Sequence, residues 1–88
     1  MYKKPTIVAC IPAFKEEATI AKVILSAQKY VDHVLVCDDG SPDMTAEISE
    51  KLGAFVIRHG RNLGKGSAVK SLLNEAHKYG SDIVVLLD

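Results

Sequence analysis

Four apolar runs of strand length, at 6–11, 33–37, 54–58 and 83–87, alternate along the chain with three stretches of helical period. In the first interval Ile20, Val23, Ile24 and Ala27 recur at i, i+3, i+4 and i+7, the spacing that lines one face of a helix. The second interval carries a weaker stripe of Ala46, Ile48 and Leu52, closed by Gly53 as a C-cap. Val69, Leu72, Leu73 and Ala76 mark the third helix, and Gly80 ends it. Strand and helix in strict alternation predict parallel pairing through right-handed crossovers, because every strand must start from the same end of the sheet. The strands lack polar alternation, so helices are expected on both faces of an α/β fold. No repeat, low-complexity tract or linker divides residues 1–88, which read as one domain or one part of one.

Composition narrows the partners. With 48% apolar residues in 88 the chain can fold, although a domain this short buries only about 60–65% of its unfolded surface. Lys plus Arg equals Asp plus Glu, 11 against 11, so neither nucleic acid nor an anionic membrane is drawn by net charge. Cys10 and Cys37 each lie inside an apolar run, without C-x-x-C or metal-ligand spacing. They read as buried free thiols, which favours a reducing cytoplasm. Lys3 and Lys4 precede an apolar stretch of only 7–11 before Pro12, too short for a signal peptide core or a membrane span.

Open parallel sheets bind ligands beyond the carboxyl ends of their strands, so four tips carry the chemistry. Pro12-Ala13-Phe14-Lys15-Glu16-Glu17 follows the first strand where a dinucleotide fold would place G-x-G-x-x-G. Glu16 and Glu17 open a helix, which fits either a solvated turn or a carboxylate for a ribose or base. Asp38-Asp39-Gly40-Ser41-Pro42-Asp43 follows the second strand; adjacent side chains there point to opposite faces, so one acid ties the loop and Asp39 is free to accept N–H bonds from a base. Ser41 before Pro42 also reads as an ordinary N-cap and first helical position. The glycine-rich run 60–66 is not a P-loop, since three residues rather than four separate Gly60 from Gly64 and Gly66 follows Lys65. It brings Arg58, Arg61 and Lys65 to a helix amino end, which suits either a solvated basic loop or an anionic visitor. Asp88 ends the fourth run, and one Asp alone does not hold Mg²⁺ or Mn²⁺. His33, His59 and His77 lie on separate elements and read as surface or loop residues.

Taken in order, Ile11-Pro12-Ala13-Phe14-Lys15-Glu16-Glu17, Val36-Cys37-Asp38-Asp39-Gly40-Ser41-Pro42-Asp43, Arg61-Asn62-Leu63-Gly64-Lys65-Gly66 and Val84-Val85-Leu86-Leu87-Asp88 closely resemble the start of family 2 glycosyltransferases with the GT-A fold. The nearest branch is the dolichol-phosphate or polyprenyl-phosphate mannosyl- and glucosyltransferases, and the resemblance covers nearly the whole chain. It implies a three-layer, Rossmann-like nucleotide-binding half with sheet order 3-2-1-4. It also implies a nucleotide-sugar site of Pro12, Ala13, Phe14, Glu16, Cys37, Asp39, Asn62, Gly64, Lys65, Gly66 and Asp88, with Asp88 as the first acid of a metal-binding D-x-D. The family often has Tyr in place of Phe14 and Asn in place of Lys15.

The implied reaction is inverting transfer of a sugar from a GDP- or UDP-linked donor with Mg²⁺ or Mn²⁺, to a polyprenyl or dolichyl phosphate among other acceptors. The second metal acid and the catalytic base do not occur in residues 1–88, so this part is expected to bind donor without turnover. Full-length membrane association on the cytoplasmic face belongs to the same expectation. A phosphoacceptor signalling domain is the competing class, but its acidic pair would follow the first strand. A nucleotidyltransferase would want a glycine-rich loop where Pro12 to Glu17 stand. In the 3-2-1-4 order the run 83–87 becomes an apolar edge, expected to self-associate.

Overall fold

The computed structural model describes residues 3–88. It contains β1 (Ile7–Ala13), α1 (Ile20–Ala27), β2 (His33–Asp38), α2 (Thr45–Lys51), β3 (Phe55–Arg58), α3 (Lys65–Lys78) and β4 (Ile83–Leu86). The strands form one fully parallel sheet in the order β3-β2-β1-β4, as expected. Register runs Ala9 to Val34, Ile7 to Ile83 and Leu35 to Phe55.

The sheet separates two cores. On one face Ala9, Ile11, Ala13, Val34 and Val36 pack under Ile20, Ile24 and Ala27 of α1, with Ile48 and Leu52 of α2 closing the cluster. On the other Val8, Cys10, Leu35 and Cys37 meet Ala68, Leu72 and Ala76 of α3. The apolar stripe of α3 is therefore rotated from the expected one: Leu73 is exposed and Ala68 replaces it. Alanines one turn either side of Leu72 let the helix backbone approach the sheet, which a bulkier stripe would hold off. Leu72, fully buried, anchors this face; truncation of such a leucine to alanine typically costs about 2–5 kcal/mol.

Two departures position the tips. Strand β1 runs through Pro12 to Ala13, two residues further than the expected end. The carbonyls of Thr6 and Cys10 face β4, accepting from Ile83 and Leu87, while that of Ala13 faces β2, accepting from Asp39. By that alternation Pro12 faces the β4 side after pairing with β4 has stopped, so its missing N–H interrupts no ladder. The expected apolar edge is present, but helical cover of the faces falls short there, since Ile83, Val84, Val85 and Leu86 are all exposed. Three helices cover the two inner strands, and β4 is left bare on both faces.

At the opposite end of the sheet, Asp32 and Asp82 accept the N–H groups of Ile7 and Thr6, each at 2.7 Å. These two acids clamp the start of β1. They take no part in the tip chemistry.

Candidate donor-binding site

The carboxyl ends of β1 and β2, the 59–64 loop and Asp88 enclose a pocket of about 290 Å³. Pro12, Ala13, Phe14, Glu16, Asp39, Asn62, Gly64, Lys65, Ala68 and Asp88 line it. Every sequence-predicted site residue is thus present except Cys37 and Gly66. The Cys37 side chain points from β2 into the core under α3, fully buried, because odd positions of β2 face that helix. Gly66 lies within the first turn of α3, outside the lining. Ala68 is an addition to the expected set; it sits one turn into α3 beyond Lys65, where only a small side chain leaves the pocket its depth.

The first tip is laced to the second by backbone donors. The Lys15 N–H donates to Ser41 Oγ at 2.8 Å, the Glu16 N–H to Thr45 Oγ1 at 2.9 Å, and the Met44 N–H to Glu17 Oε2 at 2.8 Å. Lys15 adopts φ 56°, a left-handed conformation that Asn tolerates better than Lys. Its ammonium lies 5.2 Å from the Phe14 ring centre. Ser41 is not the N-cap its sequence context suggests: α2 starts at Thr45, and Asp43 Oδ1 accepts both the Thr45 N–H at 3.0 Å and its hydroxyl at 2.6 Å. The Thr45 bonds hold the Asp43 carboxyl below its ordinary range, against a smaller upward push from burial.

The acidic pair divides its work differently from expectation. Asp38 Oδ1 accepts the Ser41 N–H at 3.2 Å and shapes its own turn. Asp39, only 4% exposed, is already engaged by partners within the chain. Its Oδ1 accepts from His59 Nδ1 at 2.8 Å and the Leu63 N–H at 2.9 Å, and its Oδ2 accepts from the Gly64 N–H at 2.9 Å. Burial pushes the Asp39 carboxyl up, but these bonds from Leu63, His59 and Gly64 outweigh it and leave the group below its ordinary value. Asp39 thereby fastens the glycine-rich loop and the amino end of α3 to the tip of β2.

His59 belongs to this arrangement: it lies on the loop after β3, as expected, but not at the surface. Its ring is nearly buried, with Nε2 at 2.9 Å from Ser71 Oγ and 3.6 Å from Cys37 Sγ. The signal lies in the register: Asp38 pairs with Arg58, so the next residues, Asp39 and His59, stand side by side. Burial, then the charges of Asp39 and Asp38, push the Cys37 thiol up to about 11.

Of the expected basic residues, Arg58 is turned away and paired with Glu50 at 2.5 Å. Lys65, the first residue of α3, faces the pocket and pairs with Asp88 across its mouth. That pair is more than half exposed on both sides, so solvent screening leaves it weak and exchangeable for a ligand. Among the described residues no group of three or more His, Cys, Asp or Glu could hold a metal ion by itself. A larger, mostly apolar groove of about 780 Å³ lies between α1 and β4, where Val23, Val31, Ile83 and Val85 line it together with Lys22, Ser26, Tyr30 and Asp88.

The acid, the glycine-rich loop and the lysine gather at the carboxyl edge of an open parallel α/β sheet, where such folds bind their ligands. The chain belongs to glycosyl transferase family 2, whose family model matches residues 8–88. The fold is the Rossmann-like half of a GT-A glycosyltransferase. An uncharacterised protein of Methanocaldococcus jannaschii is 36% identical over 86 residues, covering 97% of this chain and 35% of that protein. The UDP-N-acetylglucosamine–dolichyl-phosphate N-acetylglucosaminyltransferase of Methanococcus voltae is 31% identical over 96 residues, covering 89% of this chain and 38% of that enzyme. Among solved structures, glucosyl-3-phosphoglycerate synthase from Mycobacterium tuberculosis, in complex with Mn²⁺, UDP and glucosyl-3-phosphoglycerate, superposes with a TM-score of 0.77 at 34% identity. That match covers 96% of this chain and 33% of the synthase. The chain therefore spans about a third of the length of these relatives.

Proposed function

We propose that residues 1–88 form the N-terminal, donor-binding part of a glycosyltransferase that takes a sugar from a nucleoside diphosphate. The observation that carries this reading is the convergence of Glu16, Asp39, Gly64, Lys65 and Asp88 on one pocket at the carboxyl edge of the sheet. Asp39 would meet the base, Glu16 the nucleoside beside Pro12 and Phe14, and the Asn62 to Lys65 segment the diphosphate. Lys65 is placed to exchange its contact with Asp88 for a phosphate oxygen, since the pair is exposed and the two groups flank the same pocket. Freed in this way, Asp88 can offer one carboxylate to Mg²⁺ or Mn²⁺, and one suffices where water and diphosphate oxygens supply the remaining ligands. Such an ion, when bound, offsets the negative charge that builds on the leaving diphosphate.

The same reading extends to an inverting displacement with a polyprenyl or dolichyl phosphate as acceptor, supported by the dolichyl-phosphate relative. No helix among the described residues is long and apolar enough to cross a membrane. Activation of the acceptor requires a further carboxylate outside the pocket described, and the 88 residues alone would bind donor without turnover. The phosphoacceptor alternative is disfavoured because the acidic pair follows β2 rather than β1.

Isothermal titration of UDP-glucose and GDP-mannose into the protein with Mn²⁺ tests the proposal. Saturable binding of either is expected, weakened by Lys65→Ala and Asp88→Asn. Absence of binding by both sugar nucleotides, and by UDP and GDP, would refute it.

A further inference from the structure

The glycine-rich loop gains little from packing. Leu63 is 47% exposed, and a Cβ built on Gly60 or Gly64 would have nothing within 4 Å. Its hold on the sheet runs through the Asp39 carboxylate, with the Leu63 N–H on Oδ1 and the Gly64 N–H on Oδ2, both at 2.9 Å. The two oxygens turn together, so any rotation of the carboxylate disturbs both contacts and the loop is only as fixed as that group. We infer that His59 is a positioning residue, a strut between Asp39 and Ser71 that sets the carboxylate and so holds the 61–64 segment and Lys65 ready for a diphosphate before any ligand arrives. This inference rests on the donor-nucleotide reading above and adds the residue that organises its phosphate-facing side.

The strut works from both ends of the imidazole. An ionised carboxylate only accepts, so Nδ1 carries the proton of the 2.8 Å contact to Asp39 Oδ1. At the other end Nε2 stands 2.9 Å from Ser71 Oγ, a hydroxyl that donates to a bare ring nitrogen and accepts from a protonated one, so the contact survives in either state. The ring has little room to shift between these partners. Cys37 Sγ lies 3.6 Å from Nε2, the side chain is only 11% exposed, and the His59 N–H donates to the Asp38 carbonyl at 2.9 Å.

Ser71 belongs to α3, whose first residue is Lys65. One ring therefore connects the tip of β2, the end of β3 and the helix that carries the pocket's lysine, although the ring itself is not part of the pocket lining. A binding group keeps its geometry to within about 0.5 Å only when the side chains behind it are locked by packing and hydrogen bonds. Removal of the imidazole leaves Asp39 fastened by the two loop amides alone, each of them on the exposed, glycine-bearing segment it is meant to fix.

Amide hydrogen exchange followed by NMR, together with calorimetric titration of UDP and of GDP with Mn²⁺, tests the inference on wild type, His59→Ala, His59→Asn and His59→Gln. Loosening of the loop speeds exchange there alone, whereas a loss of global stability also speeds core amides such as that of the fully buried Leu35. Measured against Leu35, exchange at Leu63 and Gly64 should be about tenfold faster in His59→Ala than in wild type. The same variant should bind whichever nucleotide wild type binds about tenfold more weakly, the effect of one charge-assisted hydrogen bond. The amide nitrogen of Asn stands where Nδ1 stands, so His59→Asn should recover most of both losses; that of Gln reaches the Nε2 position instead, so His59→Gln should not. Equal behaviour of the Asn and Gln variants, or exchange at Leu63 and Gly64 that moves only with Leu35, overturns the strut, and the Asn and Gln comparison decides the matter even if His59→Ala does not fold. Faster loop exchange with undiminished nucleotide binding overturns the role at the diphosphate. Binding of neither nucleotide by wild type removes the donor-nucleotide reading and that role with it, while the exchange data still decide the strut.

Discussion

Gly40 sits where two tips touch, and replacing it with alanine isolates how much that contact is worth. Its φ of +76° lies in the left-handed region, and a Cβ built there would fall 2.4 Å from the carbonyl carbon of Arg61 and 2.6 Å from the backbone N of Asn62. Both neighbours are main chain, so no side-chain rotation relieves the overlap; the loop over 61–62 must move away from β2. The left-handed conformation costs alanine about 1–2 kcal/mol, partly offset by about 0.4–1 kcal/mol from a less flexible unfolded chain. Overpacking against a fixed neighbour adds about 1–3 kcal/mol. The net loss is about 1–4.5 kcal/mol, centred on about 3, a large share of the stability of a domain this small.

Two other glycines separate these contributions. Gly80 has φ +66° with nothing within 4 Å of where a methyl would sit, and Gly60 has the same open space without a positive φ. Urea denaturation should therefore order the variants, with Gly60→Ala near wild type, Gly80→Ala lower by about 1 kcal/mol, and Gly40→Ala lowest. At a slope of about 1.5 kcal/mol/M, a loss of about 3 kcal/mol lowers the Gly40→Ala midpoint by about 2 M. Movement of 61–62 also draws the Leu63 and Gly64 amides off Asp39, so nucleotide affinity should fall for Gly40→Ala alone. A Gly40→Ala midpoint equal to that of Gly80→Ala would refute the close approach of the two loops.

Cys37, whose thiol is pushed to about 11 from an ordinary 9.0, should resist iodoacetamide at pH 8 in the folded protein and react once urea unfolds it. The folded state keeps this proton where the unfolded state loses it, so the contribution is intact below pH 9 and declines as pH rises from 9 to about 11; alkaline melts of Cys37→Ala should lack that decline. The bare β4 edge should pair with a second copy, giving a concentration-dependent dimer in sedimentation that Val84→Lys abolishes. A wild-type monomer at high concentration would count against it.

The order of elements was legible because strand-length apolar runs and helical stripes are local properties, carried by residues such as Ile20, Ile24 and Leu72. What escaped was set by non-local geometry. The sheet order foretold that 83–87 is an edge, but its apolar character reports a tendency to be buried, not what lies over it, and so did not show that the faces of β4 are bare as well. The orientation of α3 followed from how closely Ala68 and Ala76 let it approach, which outweighed the broader stripe through Val69 and Leu73. Ser41 is not a cap because α2 starts only at Thr45, and its hydroxyl instead accepts the Lys15 amide from another tip.

The acidic pair shows the same limit in the site. Alternation correctly sent Asp38 and Asp39 to opposite faces, but it says nothing of which donors arrive there. Parallel register brings His59 beside Asp39, and the turn into α3 aims two amides at the same carboxylate. A residue that sequence assigns to ligand recognition is thus also the clamp of its own loop. The two roles are compatible because a carboxylate has more acceptor positions than the loop consumes. Any ligand contact at Asp39 is therefore left with the acceptor capacity that His59 and the backbone of Leu63 and Gly64 do not take.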